Sequence, residues 1–160
     1  MEHRIRAAGI LIKDGAMLLV KVKDFTGEYW IPPGGGIEPS DQSSKACVVR
    51  EFKEEAGIDV HVGELICVRE FLETHSQRYN AEFFYLIEGF LGTPHLENLA
   101  GLNDEGYIQD IGWVPISELA DKRLYPAELK NKLIDLIETK RFSTHLGSYI
   151  QGENEDINCL

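Results

Sequence analysis

The sequence predicts an α+β domain with a mixed sheet lying between two helices. Three observations lead there: β-rich runs at 4–23, 60–73 and 81–91, helical patterns at 41–56 and 126–140, and an order of strands, helix, strands, helix. The 160 residues suffice for one core. An apolar share of 43% against 27% charged belongs to a folded chain rather than a disordered one.

Residues 4–23 read as two strands around Lys13-Asp14-Gly15-Ala16. Asp-Gly between β-rich runs marks a hairpin, because the tight turn needs positive φ. Tyr29-Trp30-Ile31-Pro32-Pro33-Gly34-Gly35-Gly36 then ends the strand in a backbone-exposed loop. Pro39 and Ser40 are placed to start the helix of 41–56, and Gly57 to cap it. From Gly92 to Gly112 the pattern dissolves, and a connection of that length is either functional or disordered. Trp113-Val114 reads as a short strand. Leu129, Leu133, Leu136 and Ile137 then recur at i, i+4, i+7 and i+8, an amphipathic helix with Pro126 in its first turn. Residues 1–150 are expected to form one domain and 151–160 an acidic tail that frays.

Sixteen Lys+Arg against 27 Asp+Glu give a net charge of −11. Such a surface repels polyanions, which argues against general nucleic-acid binding. A small phosphorylated ligand remains compatible, since carboxylate-held divalent cations reverse the local sign. No apolar run approaches the roughly 18 residues of a membrane span, and MEHRIRAAGILIKDG meets Asp and Gly too soon for a secretory signal. Cys47, Cys67 and Cys159 are odd in number and widely spaced, against a disulfide framework or a Cys-ligated zinc. The expectation is a reduced, cytoplasmic protein with a small-molecule partner and room for a homodimer.

The informative segment is the helix of 41–56. With Ala46 as zero, Glu54, Glu51 and Glu55 fall near 80°, 140° and 180° at about 100° per residue, while Val48, Phe52, Ala56 and Val49 occupy roughly 200° to 300°. One face is apolar and three carboxylates crowd the other. Like charges at i and i+4, here Glu51 and Glu55, cost a few tenths of a kcal/mol, on the order of 0.2–0.5, which a hard cation such as Mg2+ would remove. Arg50 and Glu54, also at i and i+4, can pair. Three helical glutamates alone are ordinarily a solvated surface. The glycine loop changes the weighing, because it brings bare backbone carbonyls beside them.

Gly36, five residues, Gln42, seven residues, then Arg50-Glu51-Phe52-Lys53-Glu54-Glu55-Ala56-Gly57-Ile58 resembles the Nudix box, Gly-x5-Glu-x7-Arg-Glu-U-x-Glu-Glu-x-Gly-U with U a bulky apolar residue. The Trp30–Gly36 lead-in and Trp113-Val114-Pro115 are similar to flanking segments of that family. The resemblance implies an α/β/α sandwich and hydrolysis of a nucleoside diphosphate linked to another moiety, with Mg2+ or Mn2+ as cofactor. It places Glu51, Glu54 and Glu55 at metal-ligand positions with the Gly36 carbonyl, gives Glu54 a catalytic part and makes Arg50 the orienting residue. The cations would neutralise the diphosphate and activate water.

Gln42 departs from the family's first glutamate. It is read as an auxiliary residue replaced without much loss, as a lost metal ligand, or as the mark of a non-catalytic nucleotide sensor, and the first is preferred because the three glutamates are intact. Glu38 could restore some charge. A general base is sought in the 92–112 loop, where Glu105, followed by Gly106, is chosen beside Asp104 and Asp110. Glu82, Arg69 and Arg78 are candidate substrate contacts, and Phe25, Tyr29 and Tyr79 candidate stacking residues. Cys47 has no evident base, and the histidines show no ligand spacing.

Overall fold

The computed structural model describes residues 1–146 and 157–160. Most of the expected acidic tail, 151–156, lies outside the described residues, as do 147–150.

The Asp-Gly turn forms as its sequence requires. Asp14 and Gly15 take φ of 50° and 73°, and β2 (Ile12–Lys13) folds back on β3 (Ala16–Asp24), with Ile12 opposite Met17. The first run does not continue into this hairpin. Its larger part, β1 (Glu2–Ile10), pairs in parallel with the distant β7 (Arg78–Leu91). β6 (Asp59–Glu73) flanks β7 antiparallel and β5 (Gly34–Gly36) flanks β1, so the mixed sheet runs β5-β1-β7-β6. A second, antiparallel sheet gathers β2, β4 (Gly27–Ile31) and β8 (Ile108–Pro115) around β3.

Two expectations are corrected here. The glycine run is not a loop but edge strand β5, with Gly36, Gly35 and Gly34 opposite Arg6, Ala7 and Ala8. Its backbone lies so close to β1 that a Cβ on Gly34 would stand 2.5 Å from the Ala7 carbonyl oxygen. The helix predicted over 126–140 is broken: a 3-10 turn, Ala127–Lys130, precedes α2 (Lys132–Glu138). Asn131 makes the break with a non-helical φ of −147° and ψ of −75°, and its side chain accepts from Lys132 N–H. Leu129 and Leu133 are nevertheless both buried. The periodicity reported the apolar face correctly and the backbone incorrectly.

α1 (Ser44–Ala56) begins later than Pro39-Ser40 suggested, because Ser43 is the cap: its hydroxyl accepts from Ala46 N–H. Gly57 ends it in the left-handed region at φ 70°. α1 packs through Val48, Phe52 and Ala56 on Ala7, Leu65 and Tyr85. Leu129 and Leu133 pack with Ala8, Ile66 and Phe84, the alternate residues of the same strands. The mixed sheet is thus covered by a helix on each face. The 92–112 connection is ordered over its described length: a 3-10 turn, Glu97–Leu99, buries Leu99, and Asn98 donates to the Lys53 carbonyl at the end of α1.

Candidate active site

The edge strand and α1 together build the site. Glu51 and Glu55 are 4% and 3% exposed, so these two glutamates are interior and do not form the solvated surface that helical glutamates ordinarily make. Gly34 N–H donates to Glu55 Oε2 at 3.0 Å. Glu51 lies over Gly35, where a Cβ would come within 2.1 Å of Oε1. The glycines therefore admit the carboxylates as well as β1.

Arg50 organises the cluster. Its guanidinium donates to Asp41 Oδ1 at 3.0 Å and Oδ2 at 2.7 Å, to Glu51 Oε1 at 2.9 Å, to Glu54 Oε2 at 3.3 Å and to the Gly36 carbonyl at 3.0 Å. Two-point pairing with one carboxylate fixes the plane of the arginine, which then fixes the rotamers of two glutamates. Sequence reasoning missed Asp41. It stands one residue before the place where the pattern asks for an acid, and its side chain is 5% exposed, whereas Gln42 is exposed. The charge missing at Gln42 reaches Arg50 from Asp41, with Glu38 as a distant second at 3.8 Å. The signal that could have found it is an acid adjacent to a fixed-gap position, since one residue is easily absorbed before the first helical turn.

Burial and its neighbours set the electrostatics. Desolvation pushes Glu51 up to about 7 despite Arg50, with Glu54 and Asp104 adding repulsion. Desolvation and Glu51 hold Glu55 well above the usual carboxylate range, against the opposing Gly34 N–H. Glu51 Oε2 is buried with no hydrogen-bond partner among the described residues. Glu51, Glu55 and Asp104 can each bring an oxygen to within 4.8 Å of one another. Paired hard oxygens, raised proton affinity and an unmatched acceptor are what a divalent cation would satisfy, so the donor set fits Mg2+ or Mn2+.

The remaining sequence candidates divide. Glu54, Gly36, Arg69, Arg78 and Glu82 line one cleft of about 1050 Å3 together with Asp104. Within it the Gly36 carbonyl is occupied by Arg50, Glu82 pairs with Arg6 at 3.2 Å, and Arg78 pairs with Glu2 at 3.2 Å. Glu105 is not brought to the carboxylates: it is exposed and accepts from Gly101 N–H within its own loop. Asp110 is exposed too and accepts from Ile111 N–H. Asp104 is the loop acid that reaches the cluster. Phe25 and Tyr29 line the cleft and Tyr79 does not. The Cys47 thiol is buried and pushed up to about 12 by desolvation, which leaves it inert.

The NUDIX domain pattern matches residues 3–135. The chain belongs to the Nudix hydrolase family. A relative, the CTP pyrophosphohydrolase of Escherichia coli K12, is 27% identical over 124 residues, 76% of this chain and 83% of that one. Human diphosphoinositol polyphosphate phosphohydrolase 3-beta is 33% identical over 75 residues, 47% of this chain and 43% of its own. Among solved structures, the E. coli ORF135 protein superposes with a TM-score of 0.67 at 26% identity, over 88% of this chain and 92% of that one. A Nudix hydrolase of Nitrosomonas europaea superposes at 0.75 with 18% identity, over 95% and 100%, a likeness of fold alone. The Nudix fold predicted from the box is therefore the fold observed. Among the described residues no helix is long and apolar enough to cross a membrane.

Proposed function

We propose that this Nudix hydrolase cleaves a diphosphate linkage in a small nucleotide-type substrate with Mg2+ or Mn2+ held by Glu51, Glu55 and Asp104. The observation that carries the reading is the buried, unmatched Glu51 Oε2 beside Glu55 and Asp104. Divalent cations supply charge neutralisation toward a diphosphate and lower the pKa of water. The chain's own residues prepare for that chemistry. Arg50 holds Glu51 and Glu54 in place, Asp41 holds Arg50, and Gly34 N–H holds Glu55. Glu54, partly exposed on the cleft wall, is the group suited to take a proton from water. Asp104 takes the loop position first given to Glu105.

The sensor reading rested on Gln42. Asp41 supplies a carboxylate to Arg50 without it, which favours turnover. The name of the E. coli relative makes CTP the first compound to try, followed by nucleoside diphosphate sugars and dinucleoside polyphosphates. The test is product formation across that panel with Mg2+ and then Mn2+, with and without EDTA. Metal-dependent release of a nucleoside monophosphate supports the reading. No turnover of any compound with either ion, or turnover untouched by chelation, overturns it.

A further inference from the structure

Six arginines line the cleft: Arg4, Arg6, Arg50, Arg69, Arg78 and Arg123. Four are committed within the protein, Arg6 to Glu82, Arg50 to Asp41, Arg78 to Glu2 and Arg123 to the Thr26 carbonyl. Arg69 lies over the Phe71 ring, 4.6 Å from its centre. Arg4 has no hydrogen-bond or ion-pair partner among the described residues, although it is not fully exposed.

Its surroundings make that more than a loose surface cation. In β1, Arg4 and Arg6 alternate onto the same face as Ala8, and the parallel register sets Arg4 opposite Asn80, between Arg78 and Glu82 of β7. Its guanidinium is pressed below the ordinary arginine pKa by burial and by Arg6 and Arg78, and remains charged at neutral pH. The acids whose charge reaches it, Glu73 and Asp104, are not within ion-pair distance. A Cβ on Gly36 would stand 2.8 Å from Arg4 Nε, so the guanidinium lies against the strand that carries the carboxylate site. A chain of net charge −11 has kept a crowded cation here without giving it an anion.

We infer that Arg4 binds an anionic group, a phosphate beyond the diphosphate being cleaved, and so directs the site toward substrates with a third charged phosphate rather than a neutral sugar. The inference rests on the proposed diphosphate cleavage for its kinetic arm and stands apart from it in its binding arm. A guanidinium fork offers a phosphate two donors, and the like charges around it gain from the anion's arrival. Loss of one charge-assisted hydrogen bond amounts to about tenfold or more in affinity.

The test compares wild type, Arg4→Gln and Arg4→Lys. With Mg2+, the ratio of kcat/KM for CTP over CDP-glucose is expected to fall about tenfold or more in Arg4→Gln and less in Arg4→Lys. In EDTA, inorganic triphosphate should raise the melting temperature of wild type and raise that of Arg4→Gln much less. The unliganded Arg4→Gln protein should melt at nearly the same temperature, since no hydrogen bond or ion pair among the described residues is lost and repulsion from Arg6 and Arg78 falls. An unchanged CTP/CDP-glucose ratio, or an altered Mg2+ requirement that is equal for both substrates, overturns the inference; the latter would make Arg4 a partner of Asp104. If wild type hydrolyses neither compound, the triphosphate melting shift alone decides Arg4, and the proposed function is judged separately on the full substrate panel. Should Arg4→Gln not fold, Arg4→Lys is judged on the same ratio and shift.

Discussion

Asp41 and Gln42 stand side by side, and Asp41 is paired with Arg50 at two points. The side chain of Asp41 is nearly covered and both its oxygens accept from the guanidinium, while Gln42 is exposed. Outer-shell partners of metal-site residues typically change affinity or activity about 10- to 100-fold when removed. Asp41→Ala is therefore expected to lower kcat/KM by about that factor and raise the Mg2+ requirement, and Gln42→Glu to change either by less than about threefold. Steady-state kinetics over a Mg2+ titration decides. An Asp41→Ala enzyme with wild-type constants would show that Arg50 needs no anchor. Glu55 offers a second residue-scale outcome. Glu55→Gln should lower kcat by orders of magnitude, yet the metal-free variant should melt no lower than wild type, because a neutral amide in that buried place relieves repulsion from Glu51. Loss of both activity and folding would instead make Glu55 a structural residue.

At the scale of elements, strand β5 and helix α1 form one device. Gly35 has no side chain because Glu51 occupies the space, and the two come from elements joined by a short connection. Gly35→Ala would drive a methyl group into Glu51 Oε1. The carboxylate can move and the strand cannot, so the expected result is a folded protein with near-native circular dichroism and at least about tenfold lower kcat. If activity survives, Glu51 is not held where it must act. Gly57 makes the opposite case. Its φ of 70° and the His95 ring beside it leave no place for a side chain, so Gly57→Ala should cost stability, about 1 kcal/mol or more, read as a lower urea midpoint.

Across the whole molecule, burying two carboxylates against each other links folding, pH and metal. Glu51 is pushed from 4.5 to about 7 by burial, and Glu55 is raised with it. A raised carboxyl binds its proton more tightly in the folded state. The stability it supports is fully present below its unfolded pKa and is lost as pH rises through the folded one. Metal-free protein should therefore melt lower at about pH 8 than at about pH 5, by an amount on the order of 3 kcal/mol or less from Glu51. Mg2+ should restore most of it at the higher pH, and Glu51→Gln should flatten the curve. Calorimetry across that range checks the sign. A metal-free melting temperature that rises with pH would contradict the burial of these groups.

The local signals were legible because their causes are local. Positive φ at Asp14-Gly15, the left-handed cap at Gly57 and the apolar stripe of Val48, Phe52 and Ala56 each depend on a few neighbouring residues, and the sequence determined them by itself. So did the carboxylate cluster, whose fixed gaps place Arg50, Glu51, Glu54 and Glu55 on one helix. Helical spacing did not say that Glu51 and Glu55 would be interior, because a wheel describes directions and not what lies along them. Only the tertiary structure decided that the glycine run would pair as a strand, since its partner, Arg6 to Ala8, lies in β1. Only it brought Asp104, and not Glu105, near Glu51 and Glu55, because adjacent loop residues differ in direction and not in chemistry. Asp41 and Arg4 became visible for the same reason. A residue's type is written in the chain, but a missing or unexpected partner is a property of distances between elements, and those exist only once the sheets have closed.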